Sequence, residues 1–295
     1  MSKALPERPA VLVPAFERVH ATRRALASLE REGAGTVVLV DDDGKGGGDE
    51  LAREFPRLVV VRTGAPAFWT GSIVAGMRWA FANGHGSVLL LNQDVTVEPG
   101  YFDALLAAAR AHPGALLGSA VLYAADPGVV WSAGGRVEWF GRGIVVNHHG
   151  DPLSALPDGP FEADWLFGMG TLVPREVVER IGEPDAARFP MAWGDTDYSL
   201  RARAAGVPVL VEPRARLRHE VGAYDARVAG PPSLSTYLGW MRDPRHNLSL
   251  SCHAEVWRRH GPRLLWPASL ALRVLVLLAN FVRIRLLFRR GAPLA

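Results

Sequence analysis

The stretch Trp193-Gly194-Asp195-Thr196-Asp197-Tyr198-Ser199-Leu200-Arg201 holds two carboxylates two residues apart, just ahead of an apolar-periodic run, Tyr198, Leu200, Ala204 and Ala205, that ends at Gly206. Taken by itself, the pattern makes Asp195 an N-cap and Asp197 the partner of Arg201 one turn on. A carboxylate at a helix start can also take the proton of a hydroxyl within hydrogen-bond reach. A second polar group stands at Asn92-Gln93-Asp94, where a carboxylate suits Mg²⁺ or Mn²⁺, or where Asn and Asp simply bend a turn. His219, close behind the basic run Arg214-Ala215-Arg216-Leu217-Arg218, offers an imidazole, a competent ligand for Mn²⁺. The nearby arginines are possible diphosphate contacts. Asp41-Asp42 can accept the N–H of a pyrimidine base or cap a turn.

These groups need elements to position them. Ala10–Pro14, Thr36–Val40, Leu58–Val61 and Ser87–Leu91 read as strands, with helices over His20–Arg31 and Trp69–Phe81. A further helix is expected from near Asp195 to near Gly206, and Val207–Val211 is strand-like. Continuous Val/Leu runs suggest strands buried on both faces, hence an α/β layout with a mostly parallel sheet flanked by helices. Ligands in such sheets lie beyond the carboxyl ends of the strands, where Pro14 to Glu17, Asp41 to Asp43 and Asn92 to Asp94 all fall. Gly134 to Gly159 reads as irregular or hairpin structure, and Gly46-Gly47-Gly48 as a flexible turn. From Ser233 onward the pattern turns to long helical stretches. The expected division is therefore a domain over 1–232 and a helical region over 233–295.

Bulk properties narrow the class. With 295 residues, 48% hydrophobic and 21% charged, the chain can build a full core. A net charge of +3, without a basic stripe interleaved with aromatics, argues against nucleic acid. The single cysteine, Cys252, excludes an internal disulfide framework and a Cys-based zinc site. Lys3, Glu7, Arg8 and two prolines within the first ten residues do not make a signal peptide, so a cytoplasmic location is expected.

Six motifs occur in an order that resembles the inverting, nucleotide-sugar-dependent glycosyltransferases of family 2, with the GT-A fold. They are Val13-Pro14-Ala15-Phe16-Glu17-Arg18, Val40-Asp41-Asp42, Leu91-Asn92-Gln93-Asp94-Val95, Trp165-Leu166-Phe167-Gly168, Trp193 to Arg201, and Pro213 to His219. Within the family the chain is most similar to rhamnosyltransferase-like and galactofuranosyltransferase-like members. The resemblance implies a donor-nucleotide site at Pro14, Ala15, Phe16, Glu17, Asp41, Asp42, Trp69, Gly71, Asn92 and Gln93. It implies a divalent cation, Mg²⁺ or Mn²⁺, at Asp94 and His219, with Asp195 as the general base. Trp165, Gly168, Trp193 and Asp197 would meet the acceptor. Departures from the family pattern are Asn92 for the first Asp of Asp-X-Asp, Glu17 for Asn, Val74 for Asn, and Gly194 for the Glu before the base. The expected partners are a dTDP- or UDP-linked sugar and a hydroxyl acceptor on a glycan, a lipid-linked sugar or a small molecule.

Other α/β readings lack their signatures. Pro14–Arg18 has no glycine for a dinucleotide fingerprint, and Gly44-Lys45-Gly46 lacks P-loop spacing. A sugar nucleotidyltransferase would show a Gly-rich, basic segment after the first strand. A non-catalytic, membrane-docked sugar-nucleotide-binding protein is the alternative of a different class. Leu264 to Arg290 is strongly apolar, yet Ser269, Arg273, Asn280 and Arg283 form one polar stripe on a helix. That pattern favours a helix lying at the inner membrane surface or packed in a homodimer over one that spans, with Arg283, Arg285, Arg289 and Arg290 toward anionic headgroups. Packing on the catalytic domain is the other option.

Overall fold

Ala10, Val11, Leu12 and Val13 have no exposed surface, and their side chains divide between two cores. Val11 and Val13 join a cluster with Leu39, Leu89 and Tyr101; Ala10 and Leu12 join one with Val38, Ile73 and Met77. A strand that buries both faces needs helices on both sides, which is why its sequence does not alternate. The computed structural model describes residues 8–220 and 232–289. Its first half runs β1 (Ala10–Ala15), α1 (Val19–Arg31), β2 (Val37–Asp41), α2 (Gly48–Glu54), β3 (Leu58–Arg62), α3 (Phe68–Ala82) and β4 (Ser87–Leu90). Strands β3, β2, β1 and β4 are adjacent and parallel, with Val11 opposite both Val37 and Leu89.

The second half adds β5 (Val95–Val97), α4 (Tyr101–Ala111), β6 (Leu116–Tyr123), β7 (Val130–Ser132), and a β8 (Gly135–Glu138)–β9 (Gly143–Val146) hairpin. Then follow β10 (Phe161–Glu162), β11 (Thr171–Pro174), α5 (Arg175–Ile181), α6 (Gly194–Ala204) and β12 (Val209–His219). The main sheet is ordered β10-β12-β6-β11-β4-β1-β2-β3. The whole is an α/β sheet flanked by helices, mixed in its second half because β11 runs antiparallel between β4 and β6. That inversion has a consequence for the site. Thr171 pairs with Leu90 and the Gly170 amide donates to the Leu90 carbonyl at 2.7 Å, so the loop before β11 is delivered to the carboxyl end of β4. At the same edge β12 lies antiparallel to β5, with His219 opposite Val95.

Gly46-Gly47-Gly48 is not a loose turn. The Asp41 carboxylate accepts from the Gly46 and Gly48 amides, and a Cβ on Gly46 would lie 2.6 Å from the Ala15 carbonyl oxygen. Gly48 opens α2, an element that a glycine run conceals because intrinsic propensity argues against a helix there.

Helices α7 (Leu234–Arg242), α8 (Leu250–His260) and α9 (Trp266–Arg289) complete the described chain. Val256 and Trp257 of α8 share a core with Phe189, Trp193 and Leu200. Inside it His253 packs 4.4 Å from the Trp193 ring, and its Nδ1 meets the Ser249 carbonyl at 2.8 Å. Burial pushes the pKa of His253 down to about 4. An unfolded chain binds a proton there between about pH 6.5 and 4 that the folded one refuses, so stability should fall as pH drops through that window. The expected loss is about 3 kcal/mol once pH reaches 4. Melting temperatures between pH 7 and 5 check this, and His253→Gln should flatten the dependence.

The polar stripe of α9 is divided between an inward and an outward half. Ser269 is buried, accepts from the Trp257 indole at 2.8 Å and donates to the Trp139 carbonyl, while Arg273 donates to the Arg142 carbonyl at 2.6 Å. These two residues lie on the packing face, whereas Asn280 and Arg283 of the same stripe are exposed. Leu264, Leu265, Leu272, Leu275, Leu278, Val282 and Leu286 are exposed as well. Polar groups can face inward because each finds a partner there, and periodicity alone does not say which face is covered. Arg290 lies outside the described residues, and the Arg289 side chain is likewise not described.

Candidate active site

At the carboxyl ends of β1, β2 and β4 the structure opens a pocket of about 450 Å³. Pro14, Ala15, Phe16, Asp42, Trp69 and Gln93, all expected at a nucleotide site, line it. So do Lys45, Pro66, Phe68, Ser72, Met191 and Arg245. Phe16 is 42% exposed, with the Lys45 ammonium over its ring 5.5 Å from the centroid, so that a planar base could stack on the remaining surface. Gln93 holds this corner: its amide exchanges hydrogen bonds with the Phe16 backbone at 3.0 and 3.1 Å, and Thr22 donates to the same oxygen. The Ser72 hydroxyl is buried without a protein partner, as a group reserved for a ligand would be.

The other residues expected there have different work. Asp41 is used up by the Gly46 and Gly48 amides and does not line the pocket, a correction to its placement at the nucleotide. Both oxygens of Asp42 accept from the head of α3, from Ala67 N at 2.7 Å and Phe68 N at 3.0 Å. Asp42 therefore shapes the pocket wall, since its acceptor capacity is largely spent before any base arrives. Asn92 accepts from the Trp69 indole at 2.9 Å, which locks that ring. Glu17 has φ +59° and its amide donates to the Lys45 carbonyl, and neither it nor Gly71 lines the pocket.

Asp94 and His219 come together as expected in place, with Asp94 Oδ2 3.8 Å from His219 Nε2. Arg18 also reaches that oxygen, at 2.7 Å. Burial works to raise the Asp94 pKa, but His219 and Arg18 outweigh it and hold the carboxyl below its ordinary value. Among the described residues no group of three or more His, Cys, Asp and Glu side chains gathers as a metal cage. One carboxylate and one imidazole nevertheless fit Mn²⁺ better than the oxygen-preferring Mg²⁺, with phosphate oxygens and water as the remaining ligands. The His219 Nδ1 is buried without a partner.

Asp195 sits in the first turn of α6. Its oxygens accept from Gly168 N at 2.9 Å and Thr196 N at 2.7 Å. Burial nonetheless raises its pKa, the direction that makes a carboxylate a better proton acceptor. Gly168 has no room for a side chain, because a Cβ would lie 2.0 Å from the Trp69 ring. Gly194 stands where relatives carry Glu for the same kind of reason: a Cβ would meet Thr70 Oγ1 at 2.5 Å. Trp193 takes φ +73° to turn the chain into the helix.

Asp197, expected from the resemblance at the acceptor, is enclosed by basic side chains. It is fully buried and bonded to Arg201 Nε (2.9 Å), Arg259 (3.2 Å) and His260 Nε2 (2.9 Å). Burial opposes ionisation, but these contacts win and keep its pKa low. Its role is to fasten α6 to α8. Trp165 and Trp193 are likewise core, at 2% and 9% exposure, with Trp165 packed against Gly135 and the Trp193 indole bonded to the Asn247 carbonyl. The resemblance put both at the acceptor, but large aromatics are also common core residues. The aromatic that does stand at the site is Trp131, 4.8 Å from both the His219 and Phe167 rings. Neither it nor Arg245, far along the chain, carried a motif, whereas Ser72 belonged to the Trp69-Thr70-Gly71-Ser72 helix start.

Comparison with known proteins adds the following. Residues 6–237 match the family described as "Glycosyltransferase like family 2". The uncharacterized protein Rv1525 of Mycobacterium tuberculosis is 25% identical over 268 residues, 89% of this chain and 87% of that one. The O-antigen biosynthesis protein RfbC of Myxococcus xanthus is 29% identical over 206 residues, 62% of this chain but 16% of its own length. A crystal structure of GalNAc-T7 with UDP, GalNAc and Mn²⁺ superposes with a TM-score of 0.59 at 14% identity. That superposition covers 72% of this chain and 44% of the other, a likeness of fold.

Proposed function

The chain belongs to glycosyltransferase family 2, and from that premise we propose that it is an inverting enzyme that moves a sugar from a uridine or thymidine diphosphate sugar to an acceptor hydroxyl. One observation carries the reading. Trp69 lines the nucleotide pocket, and its ring lies against Gly168, whose amide is bound by Asp195. The proposed base thus stands one intervening residue, Gly168, from the donor pocket wall. Asp195 takes the acceptor proton as the hydroxyl oxygen bonds to the anomeric carbon, and the bond to the diphosphate breaks on the opposite face with its electron pair. Lys45 and Arg245 in the pocket wall, and Arg18 beside Asp94, supply positive charge near the departing group. A divalent cation held by Asp94 and His219 would neutralise it further. Through Arg245 the helical region from residue 233 onward contributes to this pocket.

The match to RfbC, an O-antigen biosynthesis protein, supports a role in glycoconjugate assembly; a sugar of the rhamnosyl or galactofuranosyl type is proposed from the motif resemblance alone. The deciding measurement is a thermal-shift series of nucleoside diphosphates, with and without Mn²⁺. UDP or dTDP at about a hundredfold over Kd should stabilise by about 2.7 kcal/mol, a Tm rise of roughly 4–5 °C. No shift with any nucleotide would end the reading.

We also place the enzyme on the inner face of a membrane, on the exposed face of α9. Trp266–Leu286 has a mean hydropathy of 1.6 and only 11% of it is buried. Exposed Arg263 and Arg283 flank the leucines, as headgroup contacts would require. Anionic liposomes should float the full chain at low salt but not a chain ending near Gly261. Failure of both to float would exclude this.

A further inference from the structure

A second cleft, of about 480 Å³, lies on the β8–β9 hairpin. Trp131, Arg136, Arg142, His148, His149 and Asp151 form its chemically active wall. It adjoins the proposed active site through Trp131, whose ring lies 4.8 Å from the rings of His219 and of Phe167, the neighbour of Gly168. No part of the donor-side reading uses it. Its aromatic and basic residues define what it could hold: a flat ring to receive the C–H face of a sugar, and guanidinium groups to receive an anion.

The positive charge is available. Arg136 and Arg142 share one carboxylate, Glu138, at 3.1–3.4 Å, longer than a charge-assisted bond normally runs. Their side chains are 47% and 67% exposed. Asp151 is engaged by His148 Nδ1 at 3.1 Å. His149 is oriented by its Nδ1, which meets the Trp131 carbonyl at 2.7 Å, and its Nε2 lies 3.4 Å from the Tyr123 hydroxyl.

The cleft is also held in shape. Arg273 of α9 binds the Arg142 carbonyl, and a Cβ on Gly143 would meet Arg273 and Trp257 at 3.0 Å. The hairpin tip is thereby clamped by the two last helices, which reduces the ordering cost of binding. Backbone strain marks the same place. Among the described residues, four other than glycine have a positive φ: Glu17, Phe68, Trp193 and His148. The first three surround the donor pocket and the Asp195 turn, and the fourth lines this cleft. Such strain persists where the surrounding structure enforces it, and it concentrates at binding sites.

We propose that this cleft is the acceptor subsite and that it recognises a phosphorylated sugar, the ring on Trp131 and the phosphate on Arg136 and Arg142. The proposal rests on the transferase reading for its meaning but not for its test. The full chain labelled with 5-fluorotryptophan gives ¹⁹F signals, of which Trp131→Phe and Trp69→Phe identify those of the two clefts. Glucose 1-phosphate should move the Trp131 signal, and methyl glucoside and inorganic phosphate should do so only at much higher concentration. In Arg136→Gln/Arg142→Gln, affinity for glucose 1-phosphate should fall about tenfold or more, as expected for losing hydrogen bonds to a charged group, and methyl glucoside binding should be unchanged. UDP should act on the Trp69 signal in wild type and variant alike; its failure there would count against the donor reading only. A Trp131 signal that glucose 1-phosphate leaves unmoved, or equal affinity in the double variant, would overturn the proposal.

Discussion

Asp195→Asn should lower sugar transfer by roughly two to four orders of magnitude, the contribution typical of a positioned general base. The amide cannot take the acceptor proton, yet it can still accept from the Gly168 amide where the carboxylate does at 2.9 Å. It would also set an NH2 against the Thr196 amide if Oδ2 is the oxygen retained, so melting temperature must be measured alongside turnover. UDP or dTDP binding should be kept, because Asp195 does not line the nucleotide pocket. The wild-type pH profile carries a second signature. Since burial raises this carboxyl, the loss of activity on acidification should begin above the range of an ordinary aspartate. Near-normal turnover in the variant would remove Asp195 from the mechanism.

Chelation should abolish transfer, and Mn²⁺ or Mg²⁺ should restore it. The expected loss is a hundredfold or more, since a cation at a developing phosphate charge contributes several kcal/mol. Asp94→Asn should weaken the metal requirement and the rate together, as it removes the carboxylate beside His219 while leaving Arg18 nearby. Full activity in excess EDTA would assign charge neutralisation to Arg18, Lys45 and Arg245 instead.

Much of the first half was legible because local signals agreed with one another. The runs at Ala10, Val37, Leu58 and Ser87 are short, apolar and bounded by polar turns, and each became a strand within a residue or so of its expected limits. The helix after Trp193 was equally plain. The chain after Asp94 was not. Val95–Val97 has three residues, too few for a period, and α4 begins beside Gly100 at φ +78° without a capping side chain. Leu116–Tyr123 contains Gly118 and Ser119, which dilute a strand pattern, and Gly118 is there because a Cβ would meet Leu166 at 2.5 Å.

What the sequence determined by itself was which chemistry is present: the carboxylates Asp94 and Asp195, the imidazole of His219, and the polar ends of buried strands. Those follow from residue type and from periodicities of two or so turns, which are local properties. The tertiary structure decided which groups are free to use that chemistry. Asp41 and Asp42 are spent on backbone amides and Asp197 on Arg201, Arg259 and His260, while Trp165 and Trp193 vanish into the core. Trp131 and Arg245, without motifs, reach the clefts, and Ser269 and Arg273 of the α9 stripe turn inward while Asn280, Arg283 and the leucines stay outside. Each of these outcomes depends on partners far along the chain. Whether a polar group is satisfied, or an apolar face covered, is set by its neighbours in space, and no local pattern records them.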